Sequence, residues 1–504
     1  MPLPLFLRPA VRAGAHCLLL CLLGAGAARA LAGDGALPLP VADALRRAAL
    51  PPDAVALLVT EASPGAHTPA RLRHRVELPM QPASVMKLVT TFAALDTLGP
   101  AYTWGTPIFL DGTRSDSTLH GTVYIQGHGD PSLVLERLWL LLRRLQGLGV
   151  RTIDGDIVLD HSAFERVAAD PALFDGEPLR PYNAAPDALL LNYKAVLLTF
   201  TPDPASGVAR VQMDPPLAGV TVPGSVPLTG AASASGTASG PASKAASASA
   251  ECGDYRSALR ADFQNPERIA LAGRYPAACG EKVWPVAYAD PPGFAARAVL
   301  GLWQDMGGAL TGEVREGSVP PALLQDGPAF IFHSPPLADV LRDINKYSNN
   351  VMAQQLFLTL GGGSFAGARS ALQQWWSARM AGSEAPLLEN GSGLSRQERI
   401  SALALARLLQ SAYRSPFAPE LMASLPIGGV DGTLRRAQLQ NGTSAHLKTG
   451  TLTGVLARAG YVQGASGRMY VLVALFNHGN ANTPAARAAM DSITDWVAQD
   501  TPAP

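Results

Sequence analysis

The chain has 504 residues, which is too long for one ordinary domain and enough to bury at least one large core. Hydrophobic residues make up 47% of it and charged residues 16%, the balance of a globular protein. Its formal net charge is +0, so nothing in the charge balance favours a nucleic-acid partner or an anionic membrane surface.

The first thirty residues have the pattern of an export signal. Two arginines precede the short apolar run AGAHCLLLCLLGAGA (13–27), and ARA (28–30) places small residues at the cleavage-determining positions. The pattern predicts a signal peptide over residues 1–30 and a mature chain in the periplasm or cell envelope. A membrane anchor needs about twenty clean apolar residues. This run is shorter, so no integral span is expected after cleavage.

Cysteine use agrees with export. Cys17 and Cys21 fall within the predicted signal, which leaves Cys252 and Cys279 as the cysteines of the mature chain. An even pair in an exported protein predicts one disulfide, with two separate buried thiols as the alternative. The nine histidines are scattered and form no zinc pattern with cysteine, so neither a metal nor another cofactor is expected.

The first elements alternate between a strand and a helix, and then the pattern changes. AVALLVTEA (54–62) predicts a buried strand, and the following helix should begin near Pro82 and end at Gly99-Pro100. Residues 99–287 show short strands punctuated by Gly, Asp and Pro, with one amphipathic helix over 133–149. Within them, the low-complexity tract 229–250 has too few apolar residues to order itself and predicts a flexible insertion.

Helical patterns dominate the last third of the chain until three strands close it. The predicted helices cover 293–308, 334–362, 400–414 and 484–499, and the predicted strands cover 445–451, 455–464 and 468–478. An early strand, central helices and C-terminal strands favour an α+β fold with an antiparallel sheet. Residues 36–98 and 288–504 would then form one discontinuous domain, interrupted by a mostly β insertion over 99–287.

Ser84 and Lys87 lie three residues apart at the predicted start of the first long helix, in the sequence SVMK. Side chains at this spacing share one helical face. A serine hydroxyl becomes a nucleophile when a base takes its proton, and a lysine is such a base if burial lowers its pKa. Only six lysines stand against thirty-four arginines, yet the pair alone also fits a helix-start serine beside a surface lysine.

Two further motifs follow in order. Ser348 and Asn350 form an S-x-N at the N-terminal part of a predicted helix, and Lys448-Thr449-Gly450 lies on a predicted strand. Each motif is weak evidence alone. The ordered triple of S-x-x-K, S-x-N and K-T-G in these contexts is typical of serine acyl-transfer enzymes.

With these motifs the chain resembles the penicillin-interacting serine enzymes, and more closely the low-molecular-mass class C, penicillin-binding protein 4 type of D-alanyl-D-alanine carboxypeptidase/endopeptidase. The stretches GHGDPSL (127–133), PYNAAPDALLLNYKAV (181–196), NGSGLSR (390–396) and LPIGGVDGTLRR (425–436) are similar to stretches typical of that family. The likeness implies a β-lactamase/transpeptidase-like domain with a large insertion after the nucleophile helix. It also implies peptidoglycan stems as substrate and covalent inhibition by β-lactam antibiotics.

The resemblance implies a role for each motif residue. Ser84 would be the acylated nucleophile and Lys87 its base. Ser348 would relay a proton to the leaving group, while Asn350 would hold Lys87 and the substrate amide.

The last motif would bind the substrate's end. Lys448 and Thr449 would bind the terminal carboxylate, Gly450 would let the substrate backbone approach, and the N–H groups of Ser84 and Thr451 would form the oxyanion hole.

Asp170 and Asp175 are the candidates for a further contact. Both lie in the irregular, Pro-rich segment FERVAADPALFDGEPLRPY (164–182) of the insertion. In the resembling family an acidic group of the insert meets the free amine of the substrate's diamino-acid side chain. Ordinary solvated surface acids are the alternative interpretation.

Three functions remain in view from the sequence. The first is an exported D,D-carboxypeptidase that also cleaves D-alanyl cross-bridges. The second is a β-lactamase or esterase on the same fold, which usually lacks an insertion of this size. The third is a non-catalytic wall-binding protein, against which the intact motif set argues.

Overall fold

The computed structural model describes residues 36–65, 68–166, 170–229 and 252–500. The predicted signal peptide and all but the first residue of the predicted low-complexity tract lie outside these residues. Within the described ranges, no helix is both long and apolar enough to cross a membrane.

The strands, in chain order, are β1 (Val55–Glu61), β2 (Leu72–His74), β3 (Pro79–Met80), β4 (Gly105–Ser115), β5 (Thr118–Gln126), β6 (Thr152–Asp154), β7 (Ile157–Asp160), β8 (Ala195–Asp203), β9 (Val208–Asp214), β10 (Ser225–Thr229), β11 (Ala261–Asp262), β12 (Ala270–Leu271), β13 (Tyr275–Pro276), β14 (Lys282–Ala287), β15 (Ala309–Leu310), β16 (Val314–Glu316), β17 (Phe330–His333), β18 (Ile400–Ser401), β19 (Ala445–Leu452), β20 (Val455–Gln463) and β21 (Met469–Asn477).

The α-helices are α1 (Leu39–Arg47), α2 (Lys87–Leu98), α3 (Leu135–Gly147), α4 (Tyr255–Leu259), α5 (Phe294–Asp305), α6 (Pro321–Asp326), α7 (Leu337–Lys346), α8 (Asn350–Leu360), α9 (Phe365–Arg379), α10 (Ala402–Tyr413), α11 (Ala418–Ser424) and α12 (Pro484–Ala498). Short 3₁₀ turns cover Pro52–Ala54, Ala83–Met86, Pro181–Asn183, Asn192–Lys194, Ala277–Cys279, Gly432–Leu434, Gly442–Ser444 and Gly479–Asn482.

The central sheet orders its strands β19-β20-β21-β1-β2, and every neighbouring pair in it is antiparallel. Side chains alternate between its faces along each strand. In β1, Val55 and Leu57 face the helices α1 and α12, whereas Ala56 and Leu58 face the layer that holds α2, α7, α8 and α10. Both faces are covered, which explains why the first predicted strand has a continuous apolar run. The predicted antiparallel α+β fold is confirmed.

A second body, which we call the insert, lies between α2 and α7. One of its sheets runs β15-β6-β5-β4-β17, with β7 joining β5 to β16, and the other runs β13-β10-β9-β8-β14. The helices α3 and α5 share a core with both sheets through residues such as Leu141, Leu198 and Trp303. The insert therefore has a hydrophobic core of its own, as a separate domain requires.

The structure differs from the expected end of the insertion at residue 287. Helix α5 packs its Phe294, Ala298 and Leu302 into the core of the insert, and β17 pairs with β4. Gly105 lies opposite His333 at the end of that pairing, so the chain enters and leaves the insert through neighbouring strands. We propose on this basis that the insert extends to about His333. The sequence pattern of α5 shows an apolar face without showing which core receives it.

Cys252 and Cys279 form a disulfide, with an S–S distance of 2.05 Å. The bond ties the first described residues after the low-complexity tract to the 3₁₀ turn Ala277–Cys279, close to Tyr275 in the core of the insert. The predicted pairing is confirmed, and the alternative of two separate buried thiols is wrong.

Candidate active site

Ser84 lies in the 3₁₀ turn Ala83–Met86 that leads directly into α2. Ala83, just before it, has a φ of 47°, a left-handed conformation that costs energy for a residue with a side chain. The turn is also approached closely from two sides. A Cβ added to Gly393 would lie 2.0 Å from the carbonyl oxygen of Ala83, and one added to Gly450 would lie 2.5 Å from that of Pro82. The surrounding backbone thus holds Ser84 in a fixed position.

Lys87 is buried, and its ammonium group lies among three oxygen atoms. Its Nζ is 3.0 Å from Ser84 Oγ, 2.6 Å from Asn350 Oδ1 and 2.5 Å from the carbonyl oxygen of Ser392. Burial lowers the pKa of Lys87 from 10.5 to about 7, against the opposing charge of Glu398. Near neutral pH this lysine is therefore available as a base.

The partners of Lys87 also set the direction of its lone pair. Asn350 presents its carbonyl oxygen, because its amide nitrogen donates to the carbonyl oxygen of Tyr182 at 3.3 Å. The Asn350 and Ser392 oxygens only accept hydrogen bonds. A neutral amine has two N–H groups and one lone pair. When it donates to these two oxygens, its lone pair points to the hydroxyl of Ser84.

Ser392 and Glu398 belong to the site although neither was a candidate residue in the sequence analysis. The buried carboxylate of Glu398 accepts hydrogen bonds from the backbone N–H groups of Glu389, Asn390 and Gly391, at 3.0, 3.0 and 2.9 Å. Burial raises the pKa of Glu398, and these bonds oppose the rise. The carboxylate holds the loop that brings the carbonyl of Ser392 to Lys87. The stretch 390–396 is the signal that points to this loop.

Ser348 occupies the break between α7 and α8. Its φ of 58° is left-handed, so the single predicted helix over 334–362 is wrong and two helices stand in its place. Asn349 caps α8 by accepting from the N–H of Met352, so Asn350 begins the helix as predicted. The strained turn places Ser348 Oγ 2.8 Å from Nζ of Lys448.

Lys448 is as deeply buried as Lys87. It donates to Ser348 Oγ and to the carbonyl oxygen of Thr449, both at 2.8 Å. Burial, and secondarily the charge of Lys87, lower the pKa of Lys448 well below its ordinary value. Its side-chain partner is thus Ser348.

Strand β19 forms one edge of the central sheet and presents backbone groups to the cleft. Leu447 donates its N–H to Pro426, and the carbonyl of Ala445 accepts from Gly428, so odd-numbered residues direct their backbone groups away from β20. Hydrogen bonding alternates along an antiparallel pair. The N–H groups of Thr449 and Thr451 therefore face the same side, toward Ser84.

The three motifs meet in one cavity of about 400 Å³. Ser84, Ser348, Thr449 and Thr451 line it, while Lys87, Asn350 and Lys448 lie behind these residues through the contacts above. Gly450 permits the close approach of β19 to the turn at Pro82, a reason for glycine in addition to the expected approach of substrate.

The two candidate aspartates lie in different surroundings. Asp175 accepts from the hydroxyl of Tyr182 at 2.9 Å and from the amide of Asn183 at 2.8 Å. Partial burial acts to raise the pKa of Asp175, but these hydrogen bonds outweigh it, and the pKa is lowered. Because the carbonyl of Tyr182 meets Asn350, the Asp175 segment borders the site. Asp170 instead lines a separate cavity of about 580 Å³.

The chain is similar to known proteins over most of its length. The model of the D-Ala-D-Ala carboxypeptidase 3 (S13) family matches residues 39–497. A D-alanyl-D-alanine carboxypeptidase of Actinomadura sp. (strain R39) is 30% identical over 440 residues, covering 83% of this chain and 77% of the relative.

Solved structures share the fold. Penicillin-binding protein 4 of Haemophilus influenzae superposes with a TM-score of 0.67 at 21% identity, covering 90% of this chain and 97% of that one. A predatory endopeptidase of Bdellovibrio bacteriovorus, solved with an immunity protein, superposes with a TM-score of 0.51 at 15% identity, covering 88% and 93%.

Proposed function

The chain belongs to the S13 family of D-Ala-D-Ala carboxypeptidases, and on that premise we propose how it works and which bonds it cleaves. It is a serine-type D-alanyl-D-alanine carboxypeptidase. We propose that it acts through an acyl-enzyme on Ser84, and that it also cleaves D-alanyl cross-bridges between peptidoglycan stems. A β-lactamase, an esterase or a non-catalytic wall-binding protein is not favoured.

The observation that carries the proposal is the environment of Lys87. Two carbonyl oxygens take the N–H groups of the neutral amine, and the hydroxyl of Ser84 lies 3.0 Å away, where the lone pair points. A base with a pKa near the working pH is the most effective proton acceptor. Lys87 therefore takes the proton of Ser84 as Oγ attacks the carbonyl carbon of the penultimate D-alanine.

The remaining contacts supply the other steps. The N–H groups of Ser84 and Thr451 would stabilise the oxyanion, each contributing about 3 kcal/mol in comparable sites. Lys448 donates to the oxygen of Ser348, which leaves the proton of that hydroxyl free. Ser348 gives this proton to the leaving nitrogen as the C–N bond breaks, and the proton that Lys87 took from Ser84 replaces it on Ser348. Lys87 is then neutral again, an ester on Ser84 remains, and Lys87 can accept a proton from the attacking water and return it to Ser84 Oγ. Water then hydrolyses the ester and frees the serine.

The end of the substrate would be held at the edge of β19. A terminal carboxylate can accept from the N–H of Thr449 and, when the hydroxyl proton turns away from Thr433, from its hydroxyl. The charge of such a carboxylate favours the ammonium form of Lys448 behind them. Asp175 is the better placed of the two aspartates to meet a side-chain amine, because its segment borders Asn350.

Location and inhibition complete the proposal. The predicted signal over residues 1–30 supports export to the periplasm, where peptidoglycan stems are found. The related penicillin-binding protein supports covalent inhibition of this chain by β-lactams.

The test uses the mature protein and cross-linked muropeptides, with products identified by mass. The parent should release D-alanine and separate the cross-links, and penicillin should label Ser84. Ser84→Ala should abolish release and labelling together. Ser364→Ala is the control, because it removes the N-cap of α9 at a cost of about 1 kcal/mol in stability. This variant should keep D-alanine release and penicillin labelling. Label on another serine would refute the assignment.

A further inference from the structure

The cavity that contains Ser84 continues past Thr449 toward α12. Beyond the catalytic groups it is lined by Thr433, Arg436, Arg487 and the ion pair of Arg458 with Asp491. The hydroxyl of Thr449 donates to that of Thr433 at 2.7 Å, so the carboxylate-binding edge and this extension are continuous. A volume of about 400 Å³ exceeds what a leaving group as small as D-alanine fills.

Two guanidinium groups in the extension are available for a ligand. Neither Arg436 nor Arg487 makes a side-chain hydrogen bond or ion pair with any residue that the structure describes, and both are exposed. Arg458 differs, because its guanidinium is buried and bonded to Asp491 at 2.8 Å. That pair neutralises the one carboxylate that lines the extension, and the free charge there is positive.

Arg487 has an unusual place in its helix. It lies in the first turn and a half of α12, which begins at Pro484 and has no acidic residue in its first turn. The N-terminal end of a helix carries a partial positive charge, so an arginine there is disfavoured unless an anion joins it. The helix and the two arginines together raise the positive potential at one end of the cavity.

The elements that carry the two arginines are fixed to one another. Lys346 donates to the carbonyl of Leu425 and to Asp431, and this anchors the loop that leads to Arg436. Further along, Gln438 donates its N–H to Asp491 of α12. The positions of Arg436 and Arg487 are therefore set by the fold and not by a free loop.

We propose that Arg436 and Arg487 form a subsite for a leaving group that carries a second carboxylate besides the one next to the scissile amide. The inference rests on the proposed function, since the position of Ser84 and Thr449 defines which end of the cavity receives the leaving group. D-Alanine has one carboxylate, which the edge of β19 accommodates. The peptide stem released from a cross-bridge carries more, and it would extend into the space beyond Thr449.

The test compares three peptides with the same acyl part, ending in D-Ala-D-Ala, D-Ala-D-Glu and D-Ala-D-Gln. D-Glutamate and D-glutamine have nearly the same shape, so their kcat/KM ratio isolates the second carboxylate. The parent should favour D-glutamate about tenfold, which corresponds to about 1.4 kcal/mol shared between two ion pairs. Arg436→Gln with Arg487→Gln should bring the ratio close to 1.

Arg435→Gln is the matched control, because Arg435 is an exposed neighbour that does not line the cavity. It removes one positive charge, as Arg436→Gln or Arg487→Gln does alone, and it should keep the parent ratio. The subsite would be overturned if the parent hydrolysed the D-glutamate and D-glutamine peptides with the same kcat/KM. It would also be overturned if Arg435→Gln lowered the ratio of the two as much as the double variant does. An equal loss of all three substrates in the double variant would also overturn it, because the arginines would then bind the carboxylate common to all. Hydrolysis of none of the peptides by the parent would refute the proposed function itself.

Discussion

The base assignment predicts a particular pH dependence of acylation. With a pKa of about 7, about half of Lys87 is neutral at pH 7 and about 1% at pH 5. A lysine that kept its ordinary value of 10.5 would be neutral in only about one molecule in 3,000 at pH 7. Burial therefore increases the available base by about three orders of magnitude at neutral pH.

The assay is the second-order rate of penicillin acylation between pH 5 and pH 9.5. The neutral amine is the active form, so the rate should rise with pH, about tenfold per unit below pH 7, and level off above pH 8. A rate that still rose tenfold per unit between pH 8 and pH 9.5 would show that burial does not lower the pKa of the base. A midpoint near pH 4 would indicate a carboxylate as the base.

Glu398→Gln assigns the midpoint to Lys87. The negative charge of Glu398 favours the ammonium form, so its removal should lower the pKa of Lys87 and move the acid limb to lower pH. Glutamine retains an oxygen that can accept from the N–H groups of the 389–391 loop. Glu389→Gln, an exposed carboxylate of the same loop, is the control and should leave the midpoint in place. A midpoint that moved upward in Glu398→Gln would contradict the electrostatic argument.

Three further predictions concern the substrate's ends and the low-complexity tract. Lys448→Ala should reduce turnover of a free-acid peptide more than that of its amide, because it removes positive charge behind the terminal carboxylate; equal losses would exclude that role. Asp175→Asn should lower turnover of peptides with a free side-chain amine about tenfold without a comparable effect on acetylated ones. Asp170→Asn, in a separate cavity, is its control, and identical behaviour of the two variants would argue against Asp175. Deletion of 231–249, which the sequence predicts to be a flexible insertion, should change neither the melting temperature nor kcat/KM appreciably, since added loop length costs little; a large loss would contradict that prediction.

Local spacing predicted one contact at the centre of the candidate site. The spacing of Ser84 and Lys87 needed only the geometry of one helical turn, whereas the contact of Asn350 with Lys87 was implied by the family resemblance. The carbonyl of Ser392 could not be predicted in this way, because a backbone oxygen has no residue type of its own. The role of Glu398 could not be predicted for a related reason. It accepts hydrogen bonds from backbone N–H groups, and only the folded loop brings these groups to its carboxylate.

Boundaries were the weaker part of the prediction. The strands β15, β16 and β17 are two to four residues long, too short for alternation of apolar residues to identify them. The break between α7 and α8 depends on the positive φ of Ser348, a conformation that serine rarely adopts and that no neighbouring glycine announces. Both features are set by tertiary contacts.

The adjacent entry and exit of the insert have a consequence for when the enzyme acquires its reactivity. Lys87 meets Asn350 at a sequence separation of 263 residues, and its burial is complete only when the C-terminal strands have docked. As synthesis proceeds from the N terminus, the insert can close on itself through β4 and β17 first. Until the C-terminal strands dock, Lys87 remains solvated and protonated, and the hydroxyl of Ser84 has no base to activate it. The nascent chain therefore lacks the neutral base until its C-terminal strands have folded.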